Sequence, residues 1–191
     1  MHYTPQTFNV PELDGISKQT IDEHVGLYNG YVKHANLIRE KIDAYSSEPD
    51  NNAYAIGEMQ RRFGFEFGGM RNHEYYFTQF ESGAKPLPEG AFKDMLTLQW
   101  GSVEAWMERF TKVAMTRGVG WAMLYIDRQN NQLVETWVDE QHLGQLADLD
   151  IVLALDMWEH SYMLDYPPSQ KKSYVSAFFK NLNWEVVAKR I

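Results

Sequence analysis

The sequence predicts an α+β fold, an N-terminal antiparallel helical hairpin followed by a C-terminal three-stranded antiparallel sheet flanked by helices. Three observations predict it. Helical periodicity fills the first half of the chain, two short apolar runs flank a turn signal in the second half, and a third apolar run, Asp150–Leu155, gives way abruptly to polar residues. Residues 1–15 contain Pro5, Pro11 and Gly15 and carry no period, which reads as an extended arm. Ser17 is suited to cap a helix, and from there to Tyr45 the stripe His24, Tyr28, Tyr31, Ala35, Ile38, Ile42, Tyr45 advances in steps of three and four. Ser46–Asn52, with Pro49 inside it, is a turn. A second helical pattern follows with Ile56, Met59, Phe63, Met70, His73, Phe77 and Phe80 on one side.

Gly64, Gly68 and Gly69 interrupt that second pattern. Each glycine costs a helix about 1 kcal/mol relative to alanine, so a kink or a close backbone approach is expected there. Two long helices joined by a short turn form a hairpin that can set His24 opposite His73. Ser82–Gly90 reads as the linker, dividing the chain into an arm and hairpin domain (1–83), a linker (84–90) and a C-terminal α/β domain (91–191). Within the latter, Ala91 to about Met115 is expected to be helical. Residues 118–126 and 132–138, either side of Asp127-Arg-Gln-Asn-Asn131, make a strand hairpin. Asp150–Leu155 is the third strand, and 156–166 and 172–190 are expected to be helices separated by Pro167-Pro168.

Composition narrows the chemistry. With 44% apolar and 14% aromatic residues in 191, a core can form without staples. There are no cysteines, which excludes disulfides, thiolate metal sites and cysteine nucleophiles, so any metal is held by nitrogen and oxygen. A net charge of −8 argues against nucleic acid as partner, and means that an anionic substrate needs a local positive field. No stretch approaches the roughly 20 apolar residues of a membrane span, and residues 1–8 have no basic-then-apolar pattern; a soluble, cytoplasmic protein is the expectation.

The chemistry concentrates in Leu153-Ala-Leu-Asp156-Met-Trp-Glu-His160. If the chain turns helical at Asp156, its carboxylate and the His160 imidazole lie four apart on one face and can reach a single cation. The plainer reading has Asp156 capping a helix and His160 as a core histidine. With His24 and His73 arriving from the hairpin, three imidazoles and one carboxylate converge, a donor set suited to a first-row metal. A di-iron carboxylate bundle requires Glu-x-x-His pairs, and no glutamate here has a histidine three residues later. His2 and His34 are expected to face solvent without a role.

Asn72-His73-Glu-Tyr-Tyr-Phe77, Gly118-Val-Gly-Trp121, Asp156-Met-Trp-Glu-His160 and Asn181-Leu-Asn-Trp-Glu185, in that order, resemble the iron/manganese superoxide dismutase family from about Phe8 to Lys189. The resemblance implies an enzyme that converts superoxide to dioxygen and hydrogen peroxide by cycling one manganese or iron ion per chain, with manganese favoured. The alternative is a non-catalytic metal-binding protein on the same fold. It implies His24, His73, Asp156 and His160 as ligands, Tyr31 as the gateway tyrosine with Tyr28 the alternative, Trp121 and Trp158 as aromatic walls, and Glu159 as a bridge to a second subunit of a homodimer.

The sequence also departs from the family. Where the family usually has a histidine four residues after the first ligand this chain has Tyr28, and one residue fewer separates His24 from Tyr31. Leu27 stands at a position often occupied by lysine, and Lys171 or Lys172 replaces an expected arginine, so anion guidance is expected to be differently built. The family's donor to the metal-bound solvent comes from the second helix or from the end of the sheet. The helix position is Gly69, so the resemblance points to Gln141, with His142 its competitor. Ala154, two residues before Asp156, is a neighbouring position expected to influence the metal.

Overall fold

The computed structural model describes residues 2–191. Helix α1 (Lys18–Tyr45) begins where Ser17 Oγ accepts the Thr20 backbone N–H at 3.2 Å, and it buries Ile21, His24, Tyr28, Val32 and Ala35 along one face. Helix α2 (Pro49–Thr78) starts on Pro49, whose missing N–H is harmless in a first turn, and completes the hairpin. It runs unbroken through the three glycines, so of the two expectations there the close approach is realised. A Cβ on Gly68 would lie 2.2 Å from the Gln141 carbonyl oxygen, and one on Gly69 would lie 2.5 Å from Cδ1 of Tyr31.

The single helix expected over 91–115 is two. Helix α3 (Ala91–Trp100) ends at Gly101, whose φ of +87° breaks it, and Ser102 then caps helix α4 (Val103–Ala114) by accepting the Ala105 N–H at 3.0 Å. Strands β1 (Gly120–Asp127), β2 (Gln132–Asp139) and β3 (Asp150–Asp156) form one antiparallel sheet in the order β2-β1-β3. The central strand is the most buried, as an interior strand covered on both faces should be. Its register sets Trp121 opposite Val138 on one side and Asp156 on the other.

The edge of β3 that faces no strand is closed by a side chain. Gln79, just past α2, accepts the Ala154 N–H through Oε1 and donates to the Ala154 carbonyl through Nε2, both at 2.8 Å, standing in for a fourth strand. The helix expected after β3 does not form. Asp156 is the last strand residue, Trp158 is extended, and Glu159–Ser161 make one 3₁₀ turn. Asp156 itself causes the break, because its Oδ1 accepts the Trp158 N–H at 2.8 Å and so favours a turn over a helix. The expected C-terminal helix is likewise split into α5 (Lys171–Asn181) and α6 (Trp184–Ala188), with Leu182 extended and Asn183 capping the second. Beyond it the Arg190 guanidinium donates to the carbonyls of Val152 and Tyr75 and to Thr78 Oγ1, at 2.9, 3.1 and 2.8 Å, tying α2 to β3. Among the described residues no helix is long and apolar enough to cross a membrane.

Candidate metal centre

Four donors from three parts of the chain meet where α1, α2 and the end of β3 touch. The ligating atoms of His24, His73, Asp156 and His160 all lie within 4.8 Å of one another. His24 and His160 each place Nε2 3.1 Å from Asp156 Oδ2, and His73 Nε2 lies 3.6 Å from the same atom. The first three side chains are fully buried, and His160 is partly exposed.

The donor set carries its own test of whether a cation belongs there. His73 Nδ1 lies 2.6 Å from the Gly69 carbonyl, which can only accept, so Nδ1 holds the proton and Nε2 presents a bare lone pair. That Nε2 has no hydrogen-bond partner, and neither has the buried Nδ1 of His24. A buried lone pair facing a carboxylate oxygen is unfavourable unless a positive ion lies between them. Ligands about 2.1 Å from a common ion at right angles are about 3 Å apart, close to the spacings found. The protonation states agree. Burial lowers the pKa of His24, and lowers that of His73 to about 3, keeping both imidazoles neutral. Burial works against the Asp156 carboxylate, but its interactions with His160 and His24 outweigh it and hold that group well below the usual carboxylate range. Neutral nitrogens around an ionised oxygen fit a first-row divalent or trivalent metal.

Around the donors, the residues singled out from the sequence take distinct positions. Gln141 is fully buried; its Oε1 accepts the Trp121 indole N–H at 2.9 Å and its Nε2 donates to the Tyr31 hydroxyl at 2.9 Å. Glu140, at φ +51°, turns the chain that aims Gln141 inward, and the Trp158 indole N–H holds the Glu140 carbonyl at 3.0 Å. Tyr31 packs on His73, with ring centroids 5.0 Å apart, and occupies the space that Gly69 leaves open. Burial, followed by the negative charges of Asp156 and Glu66, raises its pKa well above the ordinary phenol value.

Tyr28 points elsewhere. Its buried hydroxyl accepts the Gln6 N–H at 2.8 Å and donates to Glu74 Oε1 at 3.1 Å, tying the N-terminal arm to α2, and burial lifts its pKa to about 12. His142 packs edge-on against Phe65 at 5.9 Å and over Gly64, with no hydrogen bond to the donors. Ala154 is buried under the Gln79 clasp, while Glu159 is exposed beside His160. His2 and His34 are exposed.

Several neighbours were not singled out from the sequence. Asn72 donates to the Gln141 carbonyl at 2.9 Å, fixing the loop to α2. Tyr174 donates to the Asp156 carbonyl at 2.9 Å, and its oxygen lies 3.1 Å from that of the buried Tyr76. Gln79 had little signal, being one of two uncharged polar residues, with Thr78, between Phe77 and Phe80. Tyr174 had only its spacing of four from Phe178 on one helical face.

A family model described as iron/manganese superoxide dismutases, C-terminal domain, matches residues 88–190. Among curated proteins, a superoxide dismutase [Fe] of Aquifex pyrophilus is 32% identical, over 99% of this chain and 88% of that protein. A superoxide dismutase [Fe] of Saccharolobus solfataricus is 30% identical, over 98% and 91%. A superoxide dismutase [Mn] of Haloferax volcanii is 32% identical, over 92% and 86%.

Proposed function

The chain belongs to the iron/manganese superoxide dismutase family and is a superoxide dismutase, and we propose that its chemistry is built on His24, His73, Asp156 and His160 as the donors to one manganese or iron ion. The observation that carries this assignment is the convergence of three imidazole nitrogens on one buried carboxylate oxygen, with a bare His73 lone pair among them. When bound, the ion supplies a one-electron couple, through which one superoxide leaves as dioxygen and a second, with two protons, leaves as hydrogen peroxide.

The protein's own share is to hold charge and protons in place. Asp156 stays ionised and the two buried imidazoles stay neutral, so these three donors together carry one negative charge. The Trp121 indole fixes the Gln141 amide by its oxygen, leaving both amide N–H groups to donate. One goes to Tyr31, and we assign the other to the solvent that shares the site. Tyr31, whose raised pKa keeps its hydroxyl protonated at neutral pH, is assigned as the gate through which protons and superoxide pass. Tyr28 is assigned to hold the arm and His142 to support Phe65, neither of them at the gate.

Gln141 as donor with Gly69 opposite favours manganese, and relatives named for each metal are similar to this chain. Residues 84–90 are proposed as the junction between hairpin and sheet domains. A homodimer is proposed through the surface around Glu159 and His160, where Leu27, Met163 and Leu164 stand 42%, 48% and 56% exposed in one apolar patch. The deciding experiment reconstitutes the metal-free protein separately with manganese and with iron and measures superoxide loss. Activity in either form is expected, manganese ahead; metal uptake without activity in both would overturn the assignment.

A further inference from the structure

We propose that the Arg62–Glu66 ion pair on α2 sets the electrostatic sign of the approach to Tyr31, and that Arg62 supplies the guiding charge for superoxide. Leu27, three residues after His24, provides no such charge. Arg62 lies 11 residues before His73, at an exposed position three turns up the same helix.

Its placement is specific. Glu66 Oε1 accepts from Arg62 Nε at 2.8 Å, which leaves the terminal guanidinium nitrogens outside the pair. The guanidinium carbon sits 3.7 Å from the centroid of the Phe65 ring, a cation–π contact at the surface. Phe65 in turn lies 6.0 Å from Tyr31 and 6.3 Å from Trp158, so Arg62 stands on the aromatic wall beside the partly exposed gate. The two charges differ in access, the Arg62 side chain being 50% exposed and that of Glu66 8%. Both are felt at the Tyr31 phenol in opposite senses, the carboxylate more strongly than the guanidinium. An incoming anion therefore meets the cation first, while the buried carboxylate holds that cation in position.

The inference rests on the dismutase reading, and its test separates the two. The rate constant for superoxide loss is measured for the metal-loaded wild type, Arg62→Met, Glu66→Gln and the double variant across a range of ionic strengths. Arg62→Met leaves an uncompensated carboxylate near the gate and should slow capture about two- to fourfold at low salt. Glu66→Gln leaves an uncompensated cation and should speed it by a similar factor. The double variant should return towards wild type, and all four should converge near 1 M salt, where screening acts over about 3 Å. A purely structural role would slow both single variants without opposite salt slopes. That pattern, or single variants indistinguishable from an active wild type, overturns the inference alone. An inactive wild type overturns the dismutase reading and the inference with it.

Discussion

Replacing Gln141 with alanine separates what that side chain does for the fold from what it does for the reaction. The amide is fully buried and both its polar atoms are engaged, but their partners differ in access to water. The Trp121 indole N–H is completely enclosed, and without Oε1 it has no acceptor. A buried donor left unpaired costs about 1–3 kcal/mol, and the lost methylene adds about 0.8 kcal/mol. The Tyr31 hydroxyl is partly exposed and recovers a hydrogen bond from water at little cost. The expected destabilisation of Gln141→Ala is therefore about 2–4 kcal/mol. For a chain of this length that corresponds to a fall of about 5–15 °C in the unfolding midpoint. Tyr31→Phe leaves the Trp121 pair intact but takes the acceptor from one N–H of the buried Gln141 amide, and should cost about 1–3 kcal/mol. Both should be measured by urea and thermal unfolding of the metal-free protein, because bound metal would add its own stabilisation and mask the difference. Activity after metal loading should fall in both variants. A Gln141→Ala loss below about 1 kcal/mol would refute the claim that the indole depends on this amide.

Gly69→Ala should gain up to about 1 kcal/mol of helix propensity yet lower activity several-fold, because its Cβ would sit 2.5 Å from the Tyr31 ring and push Tyr31 away from Gln141. Unchanged helix content by circular dichroism alongside the lost activity would identify the clash as the cause; full activity would refute it. The metal-free protein should lose stability as pH falls below about 6.5, where unfolded histidine binds a proton. The folded pKa values of His24 and His73 are depressed, so the unfolded state binds more protons from there down to about 3 for His73, and the contribution is fully present only above the unfolded value. A flat denaturation midpoint between pH 7 and 5 would contradict buried neutral imidazoles. Leu164→Glu, placing a charge in the apolar patch beside His160, should shift sedimentation from dimer to monomer. A wild type that sediments as a monomer would remove this surface from consideration.

The helical hairpin was legible because α1 and α2 bury one face each, and such faces write a period of 3.6 into the sequence. The three strands were legible from their apolar runs and the Asp127–Asn131 turn. Helix ends inside the second half were less so, since a polar side chain there overrides propensity. Asp156 accepts the Trp158 N–H and replaces an expected helix by an extended residue and a 3₁₀ turn. The expectation of a shared helical face was therefore mistaken, although His160 Nε2 still comes within 3.1 Å of Asp156. Pairings between distant residues left almost no local trace. The clasp of Gln79 on Ala154 joins positions 75 apart, and the Asn72 bond to Gln141 joins positions 69 apart. Nothing in the spacing of Arg62 and Glu66, an ordinary i,i+4 pair, marks them as neighbours of Tyr31.

The division of the four donors between hairpin and sheet imposes an order on assembly. His24 and His73 leave the ribosome on α1 and α2, and 82 residues must follow before Asp156 appears. At about 5–20 residues per second that interval is on the order of 4–17 s. Throughout it the hairpin holds two of the four donors. A two-nitrogen site without its carboxylate binds whichever divalent ion is most competitive, following the general affinity order rather than the shape of the finished pocket. Discrimination between metals thus belongs to the folded chain, after Asp156 arrives and Gln79 and Arg190 lock α2 to β3. The complete donor set therefore exists only in the finished fold, and a comparison of metals is meaningful only on the full chain.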